Sequence, residues 1–466
     1  MSPPLKIPEP PRSQHQATLR LASLGLAAWL LFGAAPAQAG GMFFSARGAR
    51  PLGRAGAFVA GADDLESIYY NPAGLAEVGG ISMLGELGFF FERVRYQRAD
   101  SGGNLLPAVR SDNQILPLPF IGVSWRPKRL LHERVTFALA AFTPYTAISR
   151  YTLDGPQRYS LVSLAGTAVL TGELAVAVRV TPFLYLGAGF QNLFANVSNT
   201  IVLSGCTSLN CAPEDPNFDS PTQVRATSAF TPSGNLGAQF VTKRVRVGVS
   251  FQLPQFLRAR GTLRTRLPSD PQFDGAVVVG DRVDVAFDLP WVLRGGVELR
   301  PRPWVRIEAG ADYEAWQIQD KFRFTPRGVY IDNIVGVGRY DLGPLELNRS
   351  LRGTVGANIG GEVELFGRRL TLRAGYRFES GAVPDRTLTV LTPDGDKHIV
   401  TAGASIRIWR LRLDAGYGHV FQADRTVTQS ESYQLQPIRP PQPIPVGNGT
   451  YHVVRDVLSV AAEVRF

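Results

Sequence analysis

Residues 40–76 read GGMFFSARGARPLGRAGAFVAGADDLESIYYNPAGLA. Gly and Ala are dense here, two acids stand together at Asp63 and Asp64, and the stretch closes on Asn71-Pro72-Ala73-Gly74. No alternation of apolar and polar residues lasts, so the stretch does not read as a strand. Everything after it does. A non-strand segment followed by strands alone predicts a plug, with the rest of the chain building a barrel around it.

Working toward the N-terminus, Lys6, Arg12 and Arg20 precede an apolar run over residues 21–32, and Ala37-Gln38-Ala39 supplies a small-residue cleavage pattern. This predicts a cleaved signal peptide over 1–39, a mature chain starting at Gly40, a plug over 40–79 and a barrel over 80–466. The apolar run is short for an anchoring helix, and no later run approaches the roughly 18–20 apolar residues a spanning helix needs. Export places the chain in an oxidising compartment. Cys206 and Cys211, with four residues between them in SGCTSLNCAPEDP, then predict a small loop-closing disulfide. Two cysteines without a nearby histidine fall short of a four-ligand metal site.

Working toward the C-terminus, period-two alternation recurs from about residue 80 onward. Over 304–316, Val305, Ile307, Ala309, Ala311 and Tyr313 share one face, and Arg306, Glu308, Gly310, Asp312 and Glu314 share the other. Over 370–378, Leu370, Leu372, Ala374, Tyr376 and Phe378 oppose Thr371, Arg373, Gly375 and Arg377. Strong charges and recurring small residues on the second face suit a barrel lumen. We place fourteen strands, at 80–98, 117–126, 133–149, 157–180, 183–203, 224–241, 245–265, 277–299, 303–324, 351–365, 369–380, 397–409, 411–422 and 453–466. Short turns and long polar links alternate between them. An even strand count with this alternation predicts an all-β, 14-stranded antiparallel transmembrane β-barrel of the bacterial outer membrane, with an N-terminal hatch inside its lumen. The amphipathic last strand ends on Phe466, a terminal aromatic that resembles the signal read by the barrel-assembly machinery. The net charge of +10 comes from arginines scattered singly among apolar residues, which argues against nucleic acid as a partner.

Residues 40–76 also resemble the N-terminal hatch of the FadL/TodX family of outer-membrane transporters for hydrophobic compounds. Gly48-Ala49-Arg50, Gly53-Arg54-Ala55, Ala62-Asp63-Asp64 and Asn71-Pro72-Ala73-Gly74-Leu75 carry the likeness. Phe142-Thr143-Pro144-Tyr145 is similar to the family's Pro-containing third strand. A late block follows, comprising Arg373-Ala374-Gly375-Tyr376, Val383-Pro384-Asp385 and Pro393-Asp394-Gly395-Asp396-Lys397-His398. The likeness spans essentially the whole mature chain. It implies capture of a hydrophobic small molecule among extracellular loops, a pocket inside the barrel, rearrangement of the hatch N-terminus, and lateral exit to outer-membrane lipid beside a distorted third strand. It also implies that Met42, Phe43 and Phe44 lie near the pocket.

Other residues are read from their own chemistry. Asn71-Pro72 suits the exit from the hatch into strand one, because Pro disfavours helix at the preceding residue and Asn bonds its own backbone in turns. Asp63 and Asp64 suit either a helix cap or pairing with lumenal arginines. Pro144 removes a ladder donor, which suits a kink or a strand edge in strand three. No Walker loop, metal cluster or nucleophile triad is visible from spacing, so neither enzyme activity nor a cofactor is expected. Long-chain fatty acids are the expected cargo, aromatic hydrocarbons the alternative within the same family, and a non-transport adhesin barrel the alternative outside it.

Overall fold

The computed structural model describes residues 38–39, 46–100, 102–128, 131–145, 148–206, 212, 214–438 and 444–466. They form a closed antiparallel barrel of fourteen strands around a plug. In chain order the strands are β1 (Ile81–Arg98), β2 (Leu116–Trp125), β3 (Val135–Phe142), β4 (Ala168–Arg179) and β5 (Leu184–Ser204). Four interrupted strands follow: β6 (Asp219–Ser228, resuming Pro232–Val241), β7 (Val245–Gln252, Gln255–Thr265), β8 (Arg282–Leu289, Val292–Arg302) and β9 (Val305–Glu314, Lys321–Arg327). The ring is completed by β10 (Thr354–Leu365), β11 (Leu370–Glu379), β12 (Lys397–Ile408), β13 (Leu411–Gln422) and β14 (Gly449–Arg465). Each pairs with its neighbour in sequence. β1 closes the ring on β14, from Ser82 opposite Arg465 to Arg98 opposite Gly449. Pairing all the way round the ring satisfies the backbone of its wall, which is why strands alone can cross a membrane. No described helix is long and apolar enough to do so.

The alternation decides the two faces. Met83, Leu87, Ile121, Leu139, Phe190, Val247, Ile307 and Leu458 point outward and are exposed. Arg294, Glu298, Arg306, Glu308, Glu362, Arg373, Arg412 and Asp414 point inward and are buried. An apolar exterior over a charged interior is the reverse of a soluble protein, and it is what a lipid-facing wall requires.

In β6 to β9 this order inverts. All four strands are interrupted near one level, at 229–231, 253–254, 290–291 and 315–320. Pro232, Pro254 and Pro290 sit at three of these breaks, where a missing N–H ends the ladder. In β6, β7 and β8 the break shifts the side-chain phase by one residue, so the face that pointed out below it points in above it. On β7, Val247 and Val249 face lipid, whereas Leu257 and Leu263 face the lumen. On the loop side of the breaks the exterior carries Arg258, Asp284 and Arg323, and the interior carries Leu257, Val285, Phe322 and Phe324. That is the pattern of a wall rising into water.

The wall is low at β2 to β4. These strands have 10, 8 and 12 residues against 18 in β1 and 21 in β5. β3 was expected to run over 133–149 and β4 from 157. Instead β3 stops at Phe142 and β4 starts at Ala168. Pro144 therefore stands just past a strand end rather than at a kink within β3, because it has no N–H with which to extend the pairing.

The plug holds two one-turn helices, Ala49–Leu52 and Ser67–Tyr70, and a 3-10 segment, Pro72–Glu77. Its core is small and apolar, with Phe58, Leu65, Ile68 and Leu75 fully buried. Asn71 is extended, and its side chain accepts from the Ala73 N–H at 3.2 Å while Pro72 opens the 3-10 turn. The same Asn71 amide donates to the carbonyls of Val59 (3.0 Å) and Ala238 (3.1 Å), which ties the plug's end to its middle and to β6.

Candidate functional site

The plug is fixed to the turn-end half of the lumen by charge. Arg50 donates to Asp63 (2.6 Å), Asp64 (2.8 Å) and Glu362 of β10 (2.8 Å). Arg54, fully buried, lies between Glu298 of β8 (3.0 Å) and Glu308 of β9 (3.1 Å). Asp63 pairs with Arg306, and Asp64 with Arg412 at 2.8 Å. Glu308 also accepts from the N–H groups of Val59, Ala60 and Gly61 at 2.7–2.9 Å. Each charge in this group has an opposite partner, which is the condition for keeping ions out of water. The plug backbone is pressed directly on the wall. Cβ atoms added at Gly248, Gly360, Gly375 or Gly416 would overlap the backbone of Val59, Arg54 or Ala49.

Above the plug the lumen changes character. An almost wholly apolar cavity of about 70 Å³ lies against Leu257, Val285, Phe287, Leu289, Phe322 and Phe324. It is continuous in its lining with two larger spaces. Leu391 also borders a vestibule of about 430 Å³ among the long loops, with Arg349, Glu346 and Tyr433. Tyr145, Thr167 and Val169 also border a space of about 640 Å³ at the low wall, with Leu116, Pro117, Pro119 and Phe194.

The edge of that low wall has a particular chemistry. The Thr143 N–H donates to the Pro119 carbonyl, so Pro119 turns its hydrogen-bonding side toward the gap. Pro117, two residues away, turns the same way. Neither has an N–H, so the edge bordering the gap lacks two of the donors that an open strand would leave unpaired in lipid. Arg47 of the plug lies beside this edge, with its guanidinium 5.0–5.6 Å from the rings of Tyr69, Phe120 and Phe142.

Arg349 stands between the vestibule and the apolar cavity. It is buried, lines the vestibule, and lies 5.7 Å from the Phe322 ring that lines the cavity. It makes no ion pair among the described residues; its guanidinium donates to the Thr392 hydroxyl, and its Nε has no partner. Asp394, the carboxylate acting on it, is itself held by Lys397 at 3.0 Å. Burial pushes the Arg349 guanidinium down to about 10. A buried cation left short of anions is where a ligand's anion is worth most.

A family model described as outer membrane protein transport protein (OMPP1/FadL/TodX) matches residues 30–466. The chain belongs to the FadL/TodX family. The solved structures agree in fold. A FadL homologue of Pseudomonas aeruginosa superposes with a TM-score of 0.72 at 17% identity, covering 92% of this chain and 100% of that one. The toluene transporter TbuX of Ralstonia pickettii gives 0.61 at 15% identity (91% and 99% covered), and the P. putida toluene transporter TodX gives 0.62 at 16% (91% and 99%). No curated protein matches the chain in sequence. The protein is thus an outer-membrane transport barrel for hydrophobic compounds, in a family of transporters rather than enzymes. Barrels of the bacterial outer membrane carry short turns on the periplasmic side and long loops on the outer side.

In this FadL/TodX barrel the residues singled out from sequence fall in different places. Met42, Phe43 and Phe44 lie outside the described residues, as does the signal segment over 1–37. Gln38–Ala39, at the expected cleavage junction, pairs in parallel with Gly381–Ala382. Asp63, Asp64 and Asn71 to Gly74 are in the plug contacts described above, and Gly74 packs on the Ala62 carbonyl. Cys206 is disulfide-bonded, and Cys211 lies outside the described residues. Phe466 is exposed, and its N–H donates to the Ile81 carbonyl at 2.8 Å, so the chain's last residue locks onto the first strand. Sequence reasoning did not single out Arg349, Glu308 or the cavity-lining phenylalanines. Arg349 sits just past the short strand Leu345–Asn348, which pairs with Lys321–Phe324 of β9, and before β10 begins at Thr354.

Proposed function

We propose that the protein takes up long-chain fatty acids or similar acid-headed amphiphiles, passing them sideways through the low wall at β2 to β4 into the membrane. The carrying observation is the shared lining: Leu391 joins vestibule to cavity, and Tyr145, Thr167 and Val169 join cavity to wall gap. Below this route the plug is pinned by buried ion pairs, which leaves the side exit as the open direction. An alkyl chain gains roughly 0.8 kcal/mol per buried CH₂, so an apolar path into lipid is downhill where a water-filled pore is not. At about 70 Å³ the cavity is the smallest of the three spaces along this route. Met42, Phe43 and Phe44 of the hatch N-terminus are assigned to ligand binding at the pocket. The signal peptide is removed after Ala39, and Phe466 is the assembly signal.

Arg349 distinguishes acid cargo from hydrocarbon cargo. A charge-assisted contact there is worth roughly 1.5–3 kcal/mol, so Arg349→Met is expected to weaken long-chain fatty-acid binding by about ten- to a hundredfold. Binding of toluene should be unchanged. Equal loss for both ligands would remove the head-group role. The aromatic-hydrocarbon reading is favoured by the phenylalanines at positions 287, 322 and 324. It wins if toluene binds saturably and the acid does not. Val285→Trp, which fills the cavity, is expected to abolish saturable binding of either cargo. Titration of a fluorescent fatty acid against protein in bilayers reads these outcomes. No saturable binding of acid or toluene by the native protein would overturn the transport route.

A further inference from the structure

The outer wall changes abruptly near the loop end of β1. Ile81, Met83, Leu87, Phe89 and Phe91 form its outward row, and Arg93 and Arg95 continue it. Ten residues span about 33 Å along a strand, or about 25 Å of height at a tilt of roughly 40°, which is the height of the lipid-facing band. Arg93 and Arg95 therefore stand at the level of the outer-leaflet head groups.

At this level two arginines oppose each other. Arg95 is directly across from Arg110 of the short strand Val109–Arg110, and across from His452 of β14 on its other side. Paired residues point to the same face, with Cβ atoms about 4.5–5.5 Å apart. Like charges so placed repel unless an anion joins them. Of the nearby acids two are hydrogen-bonded elsewhere, and the third, Asp112, makes no ion pair with either arginine among the described residues and lies at the limit of contact with Arg150. Asp456 accepts from Tyr417 (2.7 Å), bonds His419 (2.7 Å) and lies 3.5 Å from Arg93. Asp424 bonds His452 at 2.6 Å, and Asp112 is 4.0 Å from Arg150. Among the described residues neither the Arg95 nor the Arg110 guanidinium has a hydrogen bond or ion pair. Both are exposed.

We propose that Arg95 and Arg110, with Arg93 beside them, bind the phosphate of a phosphorylated glycolipid in the outer leaflet. A phosphate has the oxygens to accept from two guanidinium forks at once, which turns a repulsive pair into a clamp. The acyl chains of the same lipid lie against Phe89 and Phe91 below. The occupant is a lipid rather than a soluble anion because the clamp sits directly on the lipid-facing band, outside the lumen and away from the cargo route.

The test uses the full mature protein and an Arg95→Ser/Arg110→Ser variant, each in bilayers containing phosphorylated lipid A, its dephosphorylated form, or phosphatidylglycerol. Retained lipid per protein is read by native mass spectrometry after transfer to detergent. The native protein is expected to hold phosphorylated lipid A, and the variant to lose about tenfold or more of it. An Arg95→Lys/Arg110→Lys variant should retain a part. Fatty-acid binding and the gel shift of the unboiled barrel should be unchanged in all three, which reports folding. Equal retention by the Ser variant, or equal retention of dephosphorylated lipid A, would overturn the proposal. So would displacement of the lipid by millimolar inorganic phosphate, which would make the site one for free anion.

Discussion

Glu308→Ala is expected to free the middle of the plug. The Glu308 carboxylate accepts three consecutive backbone N–H groups, from Val59, Ala60 and Gly61, and pairs with Arg54 at 3.1 Å. All of these groups are buried. Removing one partner of a buried ion pair costs roughly 3–5 kcal/mol, because the other charge stays out of water. Arg54 keeps Glu298, which moderates that part. The three N–H groups keep nothing, at roughly 1–3 kcal/mol for each buried donor left unsatisfied. The sum exceeds what a small plug can absorb, so local opening should precede barrel unfolding. Hydrogen exchange of the Val59 to Gly61 amides should rise by orders of magnitude while the amides of β10 to β14 stay protected. Unchanged exchange at those three amides would show that the carboxylate does not hold them. Glu308→Gln should fall between the two, since its amide oxygen still accepts.

Gly375→Val is expected to unseat the plug and leave the barrel. A Cβ at position 375 would lie 2.5 Å from the Arg54 carbonyl carbon and 2.7 Å from the Ala55 nitrogen. Both neighbours are backbone, so no side chain can swing aside. Ala55 already holds a left-handed φ of 53°, so the plug backbone has little slack there. Overpacking of this kind costs roughly 1–3 kcal/mol where the structure can shift, and more where it cannot. The outward face of β11 is untouched, so the strand should still insert. The measurable results are a rise in single-channel ion conductance and trypsin cleavage after Arg54, with an unaltered gel shift of the folded barrel. A variant with native conductance would mean that the plug seats elsewhere. Gly85→Val, where nothing lies within 4 Å, is the matched control.

Much of the architecture was legible because a barrel in lipid has a simple code. Its lipid-facing positions must be apolar at every second residue, as at Val305, Ile307 and Ala309, and its links must alternate between short and long. Those demands are local, so the strand count, the order of pairing and the non-strand character of the plug could be read along the chain. The polar end of the plug was legible in the same way. Asn71-Pro72 carries its turn chemistry in its own side chain and ring.

What the sequence could not state is which side of the wall an apolar row faces. On β7 the apolar residues stay in one phase from Val245 to Leu263, yet the break at 253–254 turns that row from lipid to lumen. Period two is blind to such a flip, because shifting the backbone by one residue leaves the sequence pattern unbroken. The cavity made by Leu257, Val285 and Phe322, and the isolation of Arg349 above it, exist only once three strands have turned together beside a fourth. The sequence by itself determined a plugged outer-membrane barrel, since lipid imposes its demand residue by residue. Tertiary structure alone decided where cargo can sit, since a lumen is made by strands far apart in the chain.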